Sequence, residues 1–437
     1  MLFEKELKKR DIYLKRLISF QDTEPVKVIT GVRRCGKSKL LDLMIQHLLK
    51  TGIPSEQIVK MNFESHDYDG VDYNSFYEYV KQRCLPQKRM YFFFDELQRI
   101  DGWENAVNAF RVDFDCDIYI TGSNAYLLSS EYSTYLSGRY VEIKMLPLSF
   151  SEFIYFHNFS VKTSKDLLGN TKKQAYDSEG NIYEISELFQ AFLRFGGMPS
   201  LADTGLDQEK ADAFLDSIYT TVFVRDILQR DSRKGEKKIT DFALLEKIAR
   251  FLADNIGNVT SLTSISNTLS SSKAIENTKL KPGVHTVQDY IAALQQSYFF
   301  YKAKRFDIKG KDYLKTLEKY YIVDPGLRNY LLGYGKGDRG RLLENIVYFE
   351  LLKRGYQVYI GKIDNYEIDF RATKTNETIY IQVTESLQSE ETRERELRPL
   401  QRINDNYPKI ILSMDRDFTS SYDGILSLNL IDWLLDD

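Results

Sequence analysis

Cysteine and histidine are scarce in this sequence, and so are long apolar runs. Of 437 residues only Cys35, Cys84 and Cys116 are cysteines, odd in number and isolated. Without a C-x-x-C pair they argue against a zinc ribbon and against a disulfide framework. The four histidines, His47, His66, His157 and His285, show no metal-ligand spacing and read as core or surface residues. No run approaches the roughly 18 apolar residues that a membrane span requires, so no membrane contact is expected. The start of the chain, Met1 to Arg10, alternates acid and base and has no long apolar core. It does not read as a signal peptide, and a cytoplasmic location is the expectation. Net charge is also small, −3, which makes no global case for nucleic acid. Any such surface has to come from local patches.

What is present is a soluble composition, 43% hydrophobic and 28% charged, over a length that suggests several domains. The most informative stretch is Gly31-Val32-Arg33-Arg34-Cys35-Gly36-Lys37-Ser38, a complete G-x-x-x-x-G-K-[ST] loop. An apolar strand candidate, Val26 to Ile29, precedes it, and a helix candidate, Lys39 to Leu49, follows, which is the context the motif requires. Glycines let backbone N–H groups turn toward phosphate oxygens, and the helix N-terminus adds a positive dipole end. Lys37 would reach the β- and γ-phosphates, and the Ser38 hydroxyl would hold magnesium. Gly31, Arg33, Arg34, Cys35, Gly36, Lys37, Ser38 and Lys39 are therefore the candidate ATP-binding residues.

Downstream, Tyr91-Phe92-Phe93-Phe94-Asp95-Glu96 is an apolar strand that ends in two acids. A buried strand delivering carboxylates at its C-terminal tip suits magnesium binding and water activation. Asp95 reads as the second magnesium-side residue and Glu96 as the group that polarises the attacking water. Strand candidates at 26–30, 58–63, 90–95, 117–121 and 140–145, separated by helical stretches, predict an α/β fold with a mostly parallel sheet. Ser123 and Asn124 follow the fourth of these and are candidates to sense the γ-phosphate; simple turn chemistry is the other reading. Arg139 precedes the fifth. It reads either as a surface residue or as an arginine that reaches a neighbouring subunit's γ-phosphate, which would make the protein a homo-oligomer.

Residues 147–240 read as mainly helical, with a polar surface loop around 160–182 and a charged linker from Asp231 to Lys238. Three helices from 242 to 296 followed by a strand-like run from Tyr298 predict a winged helix. Between residues 302 and 319 seven Lys or Arg stand against three acids, with aromatics interleaved. Such a stripe can bind DNA phosphates, and it can equally be a solvated face. The last hundred residues alternate helix and strand as another α/β unit.

Six segments together, Ile29 to Ser38, Phe94 to Glu96, Thr121 to Asn124, Ser137 to Arg139, Leu146 to Phe150 and Gly196-Gly197-Met198-Pro199, resemble a widespread prokaryotic AAA-type P-loop ATPase family. In that family a winged helix and a restriction-endonuclease-like domain, of the PD-(D/E)xK type, follow the ATPase. The resemblance covers essentially the whole chain. It implies an ATPase domain with its N-terminal helix over 1–150, a helical extension and linker over 151–239, a winged helix over 240–335 and a nuclease-like domain over 336–437. It also implies ATP and Mg2+ as cofactors. In the nuclease-like domain Glu344 and Asp369 match the family's first two acids. Gln382 stands where the family has its third acid, and Thr384 where it has its lysine. Carboxylates hold the metal and a lysine assists the water in such sites, so a degenerate site is expected. An ATP-gated DNA nuclease and a slow nucleotide-switched interaction protein are the alternative functions.

Overall fold

The computed structural model describes residues 7–128, 138–165, 171–228, 239–271, 282–335, 339–416 and 420–436. Ser137, the charged linker 231–238 and part of the glycine-rich stretch 333–340 lie outside them. The chain forms two compact units, residues 1–146 with 296–298, and residues 147–295 with 299–437.

In the first unit, helix α1 (Asp11–Ser19) precedes β1 (Val26–Thr30), α2 (Lys37–Lys50), β2 (Ile58–Asn62), α3 (Tyr73–Lys81), β3 (Met90–Asp95), α4 (Trp103–Asp113), β4 (Cys116–Gly122) and β5 (Tyr140–Lys144). The strands form one all-parallel sheet in the order β2-β3-β4-β1-β5. Parallel strands need crossovers and are covered on both faces, which is why β1 and β3 are buried along their whole length. Phe76 and Val80 of α3 and Trp103, Val107 and Phe110 of α4 form one core with Phe92, Phe94, Ile118 and Ile120. Phe93 stacks on Tyr119, ring centres 4.7 Å apart. Full burial of each such ring contributes about 2–3 kcal/mol. At the N-terminal strand ends, Lys27 and Asp117 form a fully buried ion pair at 2.6 Å. The Lys27 ammonium also donates to the Thr23 carbonyl, and the Tyr119 hydroxyl donates to Asp117.

The second unit opens with a short helix, Phe150–Phe156, whose N-cap is Ser149 in a full capping box with Glu152. The segment around 160–182, read from sequence as a polar surface loop, instead carries among its described residues an antiparallel sheet of β6 (Ser160–Lys165), β7 (Thr171–Tyr176) and β8 (Ile182–Tyr183). The alternation of Val161 and Thr163 with polar neighbours is strand periodicity, which the polar composition obscured.

The glycine pair of the Gly196-Gly197-Met198-Pro199 segment serves a tight joint. Gly196 has φ +81°, and a Cβ there would lie 2.1 Å from Asp324 Oδ1. A Cβ on Gly197 would lie 2.2 Å from the Leu148 carbonyl oxygen, and that contact ties the glycines to the Pro147-Leu148-Ser149-Phe150 element. Asp324 is fully buried and caps the helix Pro325–Leu332, accepting from Leu327 N–H at 3.1 Å and from Gly197 N–H at 2.6 Å. Burial pushes its carboxyl up to about 6 against these donors.

Helices Phe242–Asp254, Leu262–Ser271 and Val284–Gln296 precede a hairpin of β9 (Phe300–Asp307) and β10 (Asp312–Ile322). Thr260, between the first two helices, bridges Glu318 of β10. The hairpin joins a larger sheet with β11 (Gln357–Ile363), β12 (Tyr366–Lys374), β13 (Glu377–Val383), β14 (Lys409–Ser413), β15 (Ser421–Tyr422) and β16 (Ile425–Asn429), in the order β10-β9-β11-β12-β13-β14-β16-β15. Parallel pairing of β9 with β11 carries this sheet across the boundary expected near residue 335. Helix Arg339–Lys353 precedes β11 and helix Glu390–Gln401 follows β13.

Candidate functional site

The phosphate loop leaves β1 at the C-terminal edge of the first sheet, flanked by β4 and β5. Gly31 has φ +146°, and a Cβ there would lie 2.1 Å from the Met145 carbonyl oxygen, so the loop turns directly against the end of β5. Gly36, at φ +105°, is the left-handed N-cap of α2. The helix begins at Lys37, two residues earlier than the sequence suggests, and this sets the backbone N–H groups of Lys37 and Ser38 in its first turn. Lys37 is buried, its ammonium donating to the carbonyls of Gly31 at 2.9 Å and Val32 at 3.1 Å. Ser38, Lys39 and Arg34 are exposed. Cys35 is fully buried with its thiol toward the Met145 carbonyl, so it packs the loop from below.

The parallel register brings the acids to this loop. Phe94 pairs with Ile120 and Ile29 with Thr121, so the tip of β4 lies between Thr30 and Asp95. The Thr121 hydroxyl donates to Asp95 Oδ1 at 2.5 Å and accepts from the Glu96 N–H at 2.9 Å. Asp95 also takes a hydrogen bond from the Ser38 hydroxyl. Burial pushes the Asp95 carboxyl above its ordinary value, and those two donors and Lys37 work against it. Glu96 sits at φ +55°, strained for a non-glycine residue, and is buried. Its Oε2 accepts from Gln98 at 2.5 Å and from the Ser123 hydroxyl at 3.0 Å. A Cβ on Gly122 would meet the Leu127 side chain at 2.9 Å and Gln98 Oε1 at 3.0 Å, so both pack closely over the glycine between Thr121 and Ser123. Asn124 is buried beside them.

Several residues of this site carry no sequence signal. Arg33 pairs with Glu64 beyond the end of β2, and Arg99 reaches the same carboxylate at 3.4 Å. Burial would raise Glu64, but the two arginines outweigh it and hold its carboxyl below the usual value. Arg10 is buried and donates to the carbonyls of Cys35 at 3.2 Å and Leu146 at 2.7 Å, fastening the loop to the strand after it. Arg139, by contrast, is exposed at the entry to β5, its carbonyl accepting from Val26 N–H. It touches none of the acids.

Residues 23–154 match a family model described as an AAA domain, and residues 186–338 one described as a domain of unknown function. An uncharacterized protein of Haemophilus influenzae is 40% identical over 428 residues, 98% of this chain and 98% of that protein. One of Methanocaldococcus jannaschii is 30% identical over 397 residues, 89% of this chain and 80% of that protein. The chain belongs to one family with these two proteins, and its residues 23–154 form an AAA domain. Among solved structures, a Walker-type ATPase of Pyrococcus abyssi is similar with a TM-score of 0.46 at 13% identity, over 75% of this chain and 97% of that one.

Residues of this AAA domain fit a magnesium nucleotide. The donor set is a hydroxyl and a carboxylate, Ser38 and Asp95, both oxygen ligands of the kind a hard cation takes. The loop is a glycine-turned cradle that a Cβ at Gly31 would disrupt. Among the described residues of the chain no helix is long and apolar enough to cross a membrane.

In its second unit, Glu344, Asp369 and Gln382 do come together. Asp369 N–H donates to Gln382 Oε1 at 3.3 Å, and Lys319 reaches both Glu344 and Asp369. Thr384 turns away, its hydroxyl donating to the Ser386 carbonyl. Burial first, and Glu344 next, push the Asp369 carboxyl well above its ordinary value. Three of the seven basic residues of the hairpin stripe are engaged: Lys302 pairs with Glu318, Lys309 with Asp364, and Lys319 is buried. Lys304 and Lys311 remain exposed.

Proposed function

We propose that the protein is a Mg2+-dependent ATP hydrolase that works as a homo-oligomer. The observation that carries this reading is the Thr121 hydroxyl, which joins Asp95 to Glu96 below a phosphate loop whose Ser38 also bonds Asp95. Backbone N–H groups of the loop and Lys37 bind and orient the phosphates. Ser38 and Asp95 would hold magnesium, which when bound neutralises charge on the phosphate oxygens. Glu96 accepts the proton of the attacking water, and Gln98 and Ser123 fix the carboxylate's orientation meanwhile. Asn124, at the tip of β4, orients the γ-phosphate or the water. Arg139 serves a neighbouring subunit, because its exposure and its distance from its own acids suit an arginine acting in trans.

In this reading the three helices and hairpin are a winged helix that contacts DNA weakly, through Lys304 and Lys311 more than through the whole stripe. The C-terminal domain is restriction-endonuclease-like and does not cleave. The test is steady-state ATP turnover with and without duplex DNA, particle size being measured in the same samples. Lys37→Ala is expected to abolish or severely weaken ATP binding. Glu96→Gln is expected to keep binding and slow turnover by about 100-fold or more, since an amide retains shape without basicity. Wild-type turnover in Glu96→Gln would remove Glu96 from the reaction.

A further inference from the structure

The divalent metal that a restriction-endonuclease-like site implies does not fit the residues that stand there. Three carboxylates of the second unit already share one cation. Lys319 Nζ lies 2.9 Å from Glu344 Oε1, 2.8 Å from Glu367 Oε1 and 3.9 Å from Asp369 Oδ1, and its side chain is 3% exposed. The oxygens a metal would need are further engaged. Glu344 Oε1 also accepts from the Tyr321 hydroxyl at 2.6 Å. Glu344 Oε2 faces the backbone of Gly257, where even a Cβ would come within 2.8 Å. Asp369 Oδ2 accepts from Val383 N–H at 2.8 Å, and Gln382 donates to Glu396 at 2.9 Å. Magnesium demands near-octahedral oxygen geometry and keeps several waters, and here the Lys319 ammonium stands among the oxygens that would supply it. Among the described residues no group of three or more His, Cys, Asp or Glu is arranged to hold a metal ion.

The lysine comes from the hairpin, not from the position just after β13 where Thr384 stands. Pairing of β10 with β9 shifts register between Leu314 and Lys319, with Leu317 at φ +66° inside the irregularity. Five residues of β10 there span two of β9, and an odd number of extra residues exchanges the two faces of a strand. The bulge therefore decides that Lys319 and Tyr321 point at the acids.

We propose that Lys319 is a built-in cation that closes this carboxylate cluster to divalent metal. The domain has exchanged metal chemistry for an internal ion pair that fastens β10 to helix Arg339–Lys353 and to β12. This inference rests on the restriction-endonuclease-like reading of the domain and is independent of the ATPase reading.

Mn2+ binding to the nucleotide-free full-length protein tests it, read by electron paramagnetic resonance and by melting temperature. Wild type is expected to show no Mn2+ site that Asp369→Asn removes. Lys319→Met leaves three acids without their cation. It should melt lower than wild type, acquire an Mn2+ site, and recover by about 5 °C in Mn2+ at a hundred times its dissociation constant. Adding Asp369→Asn to that variant should abolish the gain. If Lys319→Met does not fold, Lys319→Met with Glu367→Gln, which carries one charge fewer, is put through the same measurements. An Mn2+ site in wild type that Asp369→Asn removes overturns the proposal, and so does a folded lysine-free variant that binds no Mn2+.

Discussion

Thr121→Val isolates the bridge between the two acids of the ATP site. Valine keeps nearly the same shape and removes only the hydroxyl. Two hydrogen bonds disappear, the 2.5 Å bond to Asp95 and the 2.9 Å bond from the Glu96 N–H. Thr121 is fully buried, so water does not replace them. A hydrogen bond to a charged group contributes about 1.5–3 kcal/mol, and a buried N–H left without an acceptor costs about 1–3 kcal/mol. The two losses share one site and do not add in full, so about 3 kcal/mol is expected. For a unit of this size that lowers the melting temperature by about 6–12 °C. Glu96 also loses a restraint on its strained backbone. If about 2 kcal/mol of its positioning is felt in the transition state, turnover falls about thirtyfold while ATP affinity changes little. Thr121→Ser retains the hydroxyl and should restore both. Thermal melting and steady-state phosphate release read the two effects. A Thr121→Val protein with wild-type melting and turnover would refute the bridge.

Two further outcomes are expected. Arg139→Ala should lower turnover about tenfold or more with ATP affinity retained, and mixing it with Lys37→Ala should restore part of the activity in mixed oligomers; no recovery on mixing counts against an arginine acting in trans. Asp324 titrates at about 6 in the folded chain against an ordinary 3.8, so the folded state binds its proton more tightly. Its stabilising contribution is full below about pH 3.8 and is lost as pH rises through about 6, a change of about two units or about 3 kcal/mol. The difference in unfolding free energy between wild type and Asp324→Asn should fall by that amount from pH 3 to 7, and a flat difference would contradict it.

The candidate site was legible in the sequence wherever its residues are local. A phosphate loop is eight consecutive residues, and Asp95-Glu96 ends one apolar strand, so spacing alone exposes both. Thr121, Glu64 and Arg10 escaped because their roles arise from strand order and chain crossing, which bring together residues far apart in sequence. Lys319 shows the opposite failure. It sits in a run of lysines that reads as a basic surface, yet one bulge turns it into the interior. The segment 160–183 was misread because polar composition outweighed its alternation. The Gly196-Gly197 pair was visible as a break in a helix, but its partner, Asp324, lies 127 residues beyond Gly197.

The pairing of β9 with β11 limits how this chain can be divided. Three helices and a hairpin look like a portable module, and a cut near residue 335 looks natural. That cut would strip β11 from β9 and leave a raw edge on each fragment. Unpaired edge strands recruit other strands. Either half would tend to self-associate, and the second unit would have to be moved, swapped or inherited with both sides of residue 335 in one piece.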